Sequence, residues 1–221
     1  MRYTTLLIDF DGTLFDTRNA IRRTLTQLAE RRGVAPFDPG AIDAVIDSGL
    51  TLTDMLRPLV SRNNAASLDL WIEDYRQIYN SGIGAVESSP YPGVEEAMRT
   101  LHHHGVEIFV VSNKGEVSVL ASLEHHRLRP YFREVIAATG ARPTKPDPLS
   151  FVERVLPLMH AKDAQRVLVV GDTEIDISYA RNIGATSCWA AYGYGQPDRC
   201  KALAPCYTIQ SAGDLLQHMF D

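Results

Sequence analysis

Five short apolar runs recur along the chain, and each gives way to polar residues. Residues 4–8 end at Asp9, 106–111 at Ser112, 135–138 near Thr139, and 167–170 at Gly171-Asp172; 186–191 form the fifth. The runs are nearly continuous rather than alternating, as in strands covered on both faces of a parallel sheet. Helical stripes separate them. Val94, Ala97, Met98 and Leu101 stand at i, i+3, i+4 and i+7, and Val117, Leu120 and Ala121 make a similar stripe. Strands alternating with amphipathic helices predict right-handed βαβ units and an open α/β, doubly wound, mostly parallel sheet.

One stretch breaks this rhythm. Between the first two strands lie about 75 residues of helix-like pattern, far longer than an ordinary crossover. Ile21, Leu25 and Leu28 repeat at helical spacing, as do Leu52, Met55, Leu56, Leu59 and Val60, and then Leu68, Trp71, Ile72 and Tyr75. Three or four helices and no strand are expected here. The exit, Ser88-Ser89-Pro90-Tyr91-Pro92-Gly93, is rich in turn residues. The expected division is a core of residues 1–16 and 89–221 and a helical insertion over 17–88. Ligands of open α/β sheets bind beyond the carboxyl ends of the strands. An insertion leaving directly after the first strand is placed to act as a lid.

Composition narrows the field. The chain has 221 residues, is 45% hydrophobic and carries a net charge of −5. A mildly acidic globular chain with no basic block is not expected to bind nucleic acid or an anionic membrane surface. No apolar run approaches the roughly 18 residues of a membrane span. Cys188, Cys200 and Cys206 are odd in number and form no C-x-x-C pair, so reduced thiols in a cytoplasmic protein are expected.

The polar residues of interest all follow strands: Asp9-Phe10-Asp11-Gly12-Thr13, Ser112-Asn113-Lys114, and Gly171-Asp172 with Asp176. Lys145 sits in the turn Thr144-Lys145-Pro146-Asp147-Pro148. Singly, each reads as a turn or a helix cap. Together they would bring acids to one sheet edge, where repulsion is costly without a cation. Carboxylates with no His or Cys at ligand spacing favour a hard ion such as Mg²⁺, whose remaining ligands come from water and phosphate. Ser112, Lys145 and the N–H groups around Gly12 and Asn113 would hold phosphate oxygens. The composition is that of a phosphoryl-transfer site with an aspartate as nucleophile.

The order Asp9-Phe10-Asp11-Gly12-Thr13, Ser112-Asn113, Lys145-Pro146, then Gly171-Asp172 with Asp176, resembles the haloacid dehalogenase-like hydrolase superfamily over essentially the whole chain. Residues 17–88 look like its type 1 helical cap, beside a Rossmann-like core. Tyr91-Pro92-Gly93-Val94, the Lys145-Pro146-Asp147-Pro148 turn and Gly193-Tyr194-Gly195 are similar to the phosphoglycolate phosphatase branch. The resemblance implies that Asp9 attacks phosphorus and that Asp11 protonates the leaving oxygen and then activates water. It implies Mg²⁺ on the Asp9 carboxylate, the Asp11 main-chain carbonyl and Asp172. Asp176 would hold a metal-bound water or orient its neighbours, Ser112 and Lys145 would neutralise the phosphoryl group, and Gly12 and Asn113 would add backbone donors.

The expected activity is Mg²⁺-dependent hydrolysis of a small phosphorylated metabolite, with 2-phosphoglycolate as the leading substrate, by a monomer or homodimer. The alternatives are a sugar-phosphate mutase, or a phosphatase for a nucleotide or sugar phosphate; the intact set of nucleophile, acid, lysine and metal carboxylates argues against a non-catalytic binding protein. Thr13 leans towards hydrolysis, because mutases of this superfamily often carry an aliphatic residue there. Asp11 and Asp172 argue against dehalogenation. The span from Asp16 to Tyr91 holds no Lys, so a Schiff-base route has no candidate in it. The tract His102-His103-His104 and the pair His125-His126 read as solvated helix ends. Trp71 and Tyr75 read as insertion core, with facing the substrate as the alternative; Arg22-Arg23 and Arg31-Arg32 read as solvated faces, with an arginine contact to a substrate carboxylate as the alternative; Asp47-Ser48-Gly49 reads as the insertion's substrate-side loop.

Overall fold

The computed structural model describes residues 2–60, 67–139 and 143–220. The strands in chain order are β1 (Thr5–Ile8), β2 (Phe15–Asp16), β3 (Ser89–Pro90), β4 (Glu107–Gly115), β5 (Glu134–Ala138), β6 (Val167–Gly171), β7 (Thr186–Ala190) and β8 (Tyr207–Ile209). Six form one sheet in the order β5-β4-β1-β6-β7-β8, with every neighbouring pair parallel. The apolar runs map onto five of these strands. The sixth, β8, is only three residues long and too short to announce itself by pattern.

The sheet is buried on both faces, which is why its strands read as continuous apolar runs. Leu6, Ile8, Ile108, Val110, Leu168 and Val170 face one layer, packed under Val94, Met98, Leu101, Val119 and Leu123. The alternate residues Leu7, Phe109, Val111, Val167 and Val169 face the other, with Phe151, Val155, Tyr179 and Ile183. The flanking helices are α6 (Val94–His103), α7 (Glu116–His125), α8 (Glu174–Asn182), α9 (Pro197–Ala202) and α10 (Leu215–Phe220).

Residues between β2 and β3 fold as α1 (Arg18–Arg32), α2 (Pro39–Ile46), α3 (Leu52–Val60), α4 (Leu68–Ile78) and the short α5 (Gly84–Val86). Helix α2 begins where Asp38 accepts from the Ala41 N–H at 2.8 Å, with Pro39 in the first turn. These helices bury a second core of Leu25, Leu28, Leu56, Leu59, Trp71 and Ile72. Trp71 is fully buried in it, under the Arg32 guanidinium. The arginines expected on solvated faces also carry ion pairs: Arg22 with Asp43, Arg23 with Glu87, and Arg31 and Arg32 with Asp74.

The two chain passages between sheet and helices pair with each other. Phe15–Asp16 lies antiparallel to Ser89–Pro90, a two-residue ribbon where no strand was expected. His126 departs from expectation too. Its Nε2 lies 2.9 Å from the Ser88 carbonyl and 3.3 Å from that of Ala85, and its ring meets Phe15 edge-on. It fastens the return passage rather than ending a helix in solvent.

Candidate active site

The carboxyl ends of β1, β4 and β6 converge; Asp9, Asp11, Asn113, Lys114, Asp172 and Thr173 there line one cavity, while Ser112 and Lys145 line a smaller one. Asp9, Asp172 and Asp176 each offer a carboxylate oxygen, all within 4.8 Å of one another. Lys145 reaches this cluster from its own turn, across a cis Lys145-Pro146 peptide. Its Nζ lies 2.8 Å from Asp9 Oδ1 and 2.6 Å from Asp176 Oδ1. Burial lowers the lysine's proton affinity, but Asp176 and Asp9 more than reverse this, so the ammonium stays charged. Asn113 donates through Nδ2 to the Lys145 main-chain carbonyl at 3.0 Å. Its side chain therefore shapes the lysine turn.

Asp172 is held from several sides. Its Oδ1 accepts from Thr13 Oγ1 at 3.2 Å and its Oδ2 from the Tyr194 N–H at 2.7 Å. Its main-chain carbonyl accepts from Trp189 Nε1 at 2.9 Å. Asp176 has both oxygens engaged. One meets Lys145, and the other accepts from the Thr173 N–H and hydroxyl in a capping box that starts α8. Asp176 thus ties Lys145 to the start of α8.

Gly12 contributes space rather than a donor. Its φ is +73°, and a Cβ there would lie 2.2 Å from Asp172 Oδ2. Its own N–H donates to the Phe15 carbonyl at 2.9 Å. Ser112 is buried at the end of the regular part of β4, and its Oγ accepts from the Lys114 N–H at 3.3 Å. The β4–β5 register shifts between Val111 and Gly115. Such an irregularity re-aims side chains at a strand end, and Ser112, Asn113 and Lys114 lie within it.

Asp11 carries contacts that the sequence did not announce. Thr17 Oγ1 donates to its Oδ1 at 2.5 Å. Lys114 Nζ lies 3.0 Å from Oδ1 and 3.3 Å from Oδ2. The same ammonium stands 4.3 Å from the centre of the Tyr79 ring. Burial pulls this lysine's pKa down, while Asp11 and the two tyrosines, Tyr79 and Tyr75, pull it up by more. Tyr194 joins sheet to helices: its hydroxyl accepts from the Thr17 N–H at 2.6 Å and donates to Asp16 at 3.0 Å.

The cavity has a volume of about 270 Å³. Asp9, Asp11, Asp172, Asn113 and Lys114 form its floor, and α1 to α4 with their loops supply the facing wall, Tyr75 and Gly49 among them. Gly49, at φ +62°, lies so close to Thr173 that a Cβ would come within 2.8 Å of its methyl group. The expected loop thus closes onto the sheet edge.

The electrostatics of the floor point to a cation. Burial raises Asp9 to about 6 against the pull of Lys145, with Asp176 adding to the rise. Burial, then Asp176 and Asp9, hold Asp172 well above the ordinary carboxylate range. Acids crowded like this are relieved by a hard divalent ion, and an all-oxygen donor set selects one. The residues present fit such an ion.

Residues 6–190 match the family model described as haloacid dehalogenase-like hydrolase. The pyrophosphatase PpaX of Halalkalibacterium halodurans is 27% identical over 98% of this chain and 96% of its own length. A phosphoglycolate phosphatase of Vibrio cholerae is 28% identical over 96% of this chain and 95% of its own. Among solved structures, a haloacid dehalogenase-like family hydrolase from Streptococcus pneumoniae superposes with a TM-score of 0.84. It is 18% identical, over 98% of each chain.

Proposed function

The chain belongs to the haloacid dehalogenase-like hydrolase family, and from that premise we propose that it is a phosphatase using an aspartyl-phosphate intermediate. The observation that carries this reading is Asp9, partly buried between Lys145 and the carboxylates of Asp172 and Asp176. A carboxylate held there is a nucleophile with its charge offset on one side and free to meet phosphorus on the other.

In the proposed reaction an Asp9 oxygen attacks phosphorus and the bond to the leaving oxygen breaks. Asp11 gives that oxygen a proton. A water molecule then gives its proton to Asp11 and attacks the acyl phosphate, releasing phosphate and restoring both aspartates. Lys145 neutralises charge on the phosphoryl oxygens and is held in place by Asp176 and by Asn113. Thr13 and the Tyr194 N–H fix Asp172. Asp9, Asp172 and the Asp11 main-chain carbonyl would hold Mg²⁺, which when bound offsets the negative charge brought together in the transition state. We assign residues 17–88 the role of a cap that excludes water over Asp11. The charged interior, apolar wall and modest volume suit a small phosphorylated metabolite, with 2-phosphoglycolate as the first candidate.

The test is phosphate release from a panel of phosphomonoesters with Mg²⁺ or chelator, alongside Asp9→Asn. Metal-dependent release, lost by at least about 10³-fold in the variant, is expected for a nucleophile. Isomer formation without release would favour a mutase. Release by Asp9→Asn at the native rate would refute the nucleophile.

A further inference from the structure

Lys114 has no part in the reaction just described, yet it is the cation nearest to the acid that must meet the leaving group. Its side chain is only 10% exposed and both Asp11 oxygens lie within hydrogen-bond range. The leaving oxygen must itself come within about 3 Å of an Asp11 oxygen to take its proton. The ammonium and the leaving oxygen are therefore at most about 6 Å apart, which puts an anionic group a bond or two beyond that oxygen within reach of Lys114.

The rest of the wall offers such atoms little else. The insertion presents Ile21, Val45, Leu52, Met55 and Tyr75, with the neutral hydroxyls of Thr51 and Thr53 beside them. Among the described residues lining the cavity, the cap contributes no carboxylate, and its one cation, Arg76, belongs to an exposed residue. Tyr79 covers the ammonium from above. A charge held in so dry a place binds an opposite charge strongly and a neutral group weakly.

We propose that Lys114 is the specificity-determining residue of this site and reads a negative charge on the leaving group, a carboxylate or a second phosphate. This rests on the phosphatase reading. In the unliganded protein the ammonium sits on Asp11. An anion placed just past the bridging oxygen draws it off, and the Asp11 oxygens then face the leaving group. A neutral alcohol leaves Lys114 on Asp11, where it competes with the leaving oxygen for the same carboxyl. Selectivity then appears in kcat as well as in KM.

The experiment compares kcat/KM for 2-phosphoglycolate, inorganic pyrophosphate and ethyl phosphate, the last having a neutral leaving group. Native protein, Lys114→Met, Lys114→Arg and Arg76→Gln are each measured with Mg²⁺. The native protein is expected to favour at least one anionic substrate over ethyl phosphate by about tenfold or more, the usual worth of a charged hydrogen bond. Which one it favours identifies the carboxylate or the phosphate as the group read. Lys114→Met should lower that ratio by about tenfold, Lys114→Arg by less, and Arg76→Gln should keep it. Should the methionine variant not fold, Lys114→Gln serves the same comparison. A ratio unchanged in the folded Lys114 variant, or one that collapses in Arg76→Gln, overturns the assignment. Hydrolysis of all three compounds without preference also overturns it while the phosphatase reading stands. If the native protein hydrolyses none of them, the proposed activity on small phosphate compounds of this kind falls, and this assignment with it.

Discussion

In the proposed phosphatase the clustered acids make Mg²⁺ binding depend on pH in a way that can be worked out. Without metal, burial raises Asp9 from 3.8 to about 6, despite Lys145 and helped by Asp176. An acid raised in the folded state binds its proton more tightly there than in the unfolded chain. Its contribution to stability is therefore greatest at low pH and is lost as pH rises from about 4 through about 6. The interval between 3.8 and 6 corresponds to on the order of 3 kcal/mol. A cation that needs the carboxylate must first displace the proton. That weakens binding by a factor of about 11 at pH 5 and hardly at all at pH 7.5. With Mg²⁺ at one concentration well above the dissociation constant at both pH values, the stabilisation at pH 7.5 should exceed that at pH 5 by about 1.4 kcal/mol. For a chain of this size that is about 3 to 6 °C in Tm. Asp172, shifted in the same direction, adds to the difference. Thermal unfolding followed by circular dichroism, with Mg²⁺ or with chelator at each pH, measures it. An equal Mg²⁺ increment at both values, or a pH dependence that survives intact in Asp9→Asn, would refute the reasoning.

Other perturbations have equally direct readouts. Gly12→Ala places a methyl group 2.2 Å from Asp172 Oδ2 and forces an unfavourable φ of +73°. It should raise the Mg²⁺ concentration for half-activation and cost at least about 1 kcal/mol in denaturant unfolding. Tyr194→Phe keeps the ring under Arg18 but removes the bonds to Thr17 and Asp16. A loss of about 1 to 2 kcal/mol is expected, with a fall in kcat because Thr17 also holds Asp11. His126→Ala frees the Ser88 and Ala85 carbonyls. Hydrogen exchange should quicken in residues 84–90, while β1 and β6 keep their protection. Trp71→Ala opens the core of the helical insertion, for a loss of about 3 to 5 kcal/mol; a calorimetric scan should show it in the unfolding of α1 to α4.

Much of the architecture was legible because burial writes itself into local pattern. A strand covered on both faces must be apolar throughout, so β1, β4, β5, β6 and β7 stood out, and the polar residues after them marked one edge. The insertion declared itself by helical spacing. What escaped notice was short or defined by its surroundings. The Phe15–Asp16 and Ser89–Pro90 ribbon has two residues per strand, and β8 has three. Neither length can carry a period.

The site divides the same way. Asp9, Asp11, Lys145 and Asp172 could be picked out because their order along the chain is a property of the chain. Their pairing could not: Asp176 on Lys145, Asn113 on the Lys145 carbonyl, Gly12 yielding room to Asp172. Lys114 and Tyr194 stand in segments the sequence picks out, but nothing local tells what either side chain touches. Only folding sets the one between Asp11 and the Tyr79 ring, and the other between Asp172 and the start of α1. Sequence settles which groups exist and which segments bury themselves, since both follow from local chemistry. Tertiary structure decides which charges share a dry space, because Coulomb energy depends on distances between residues far apart along the chain.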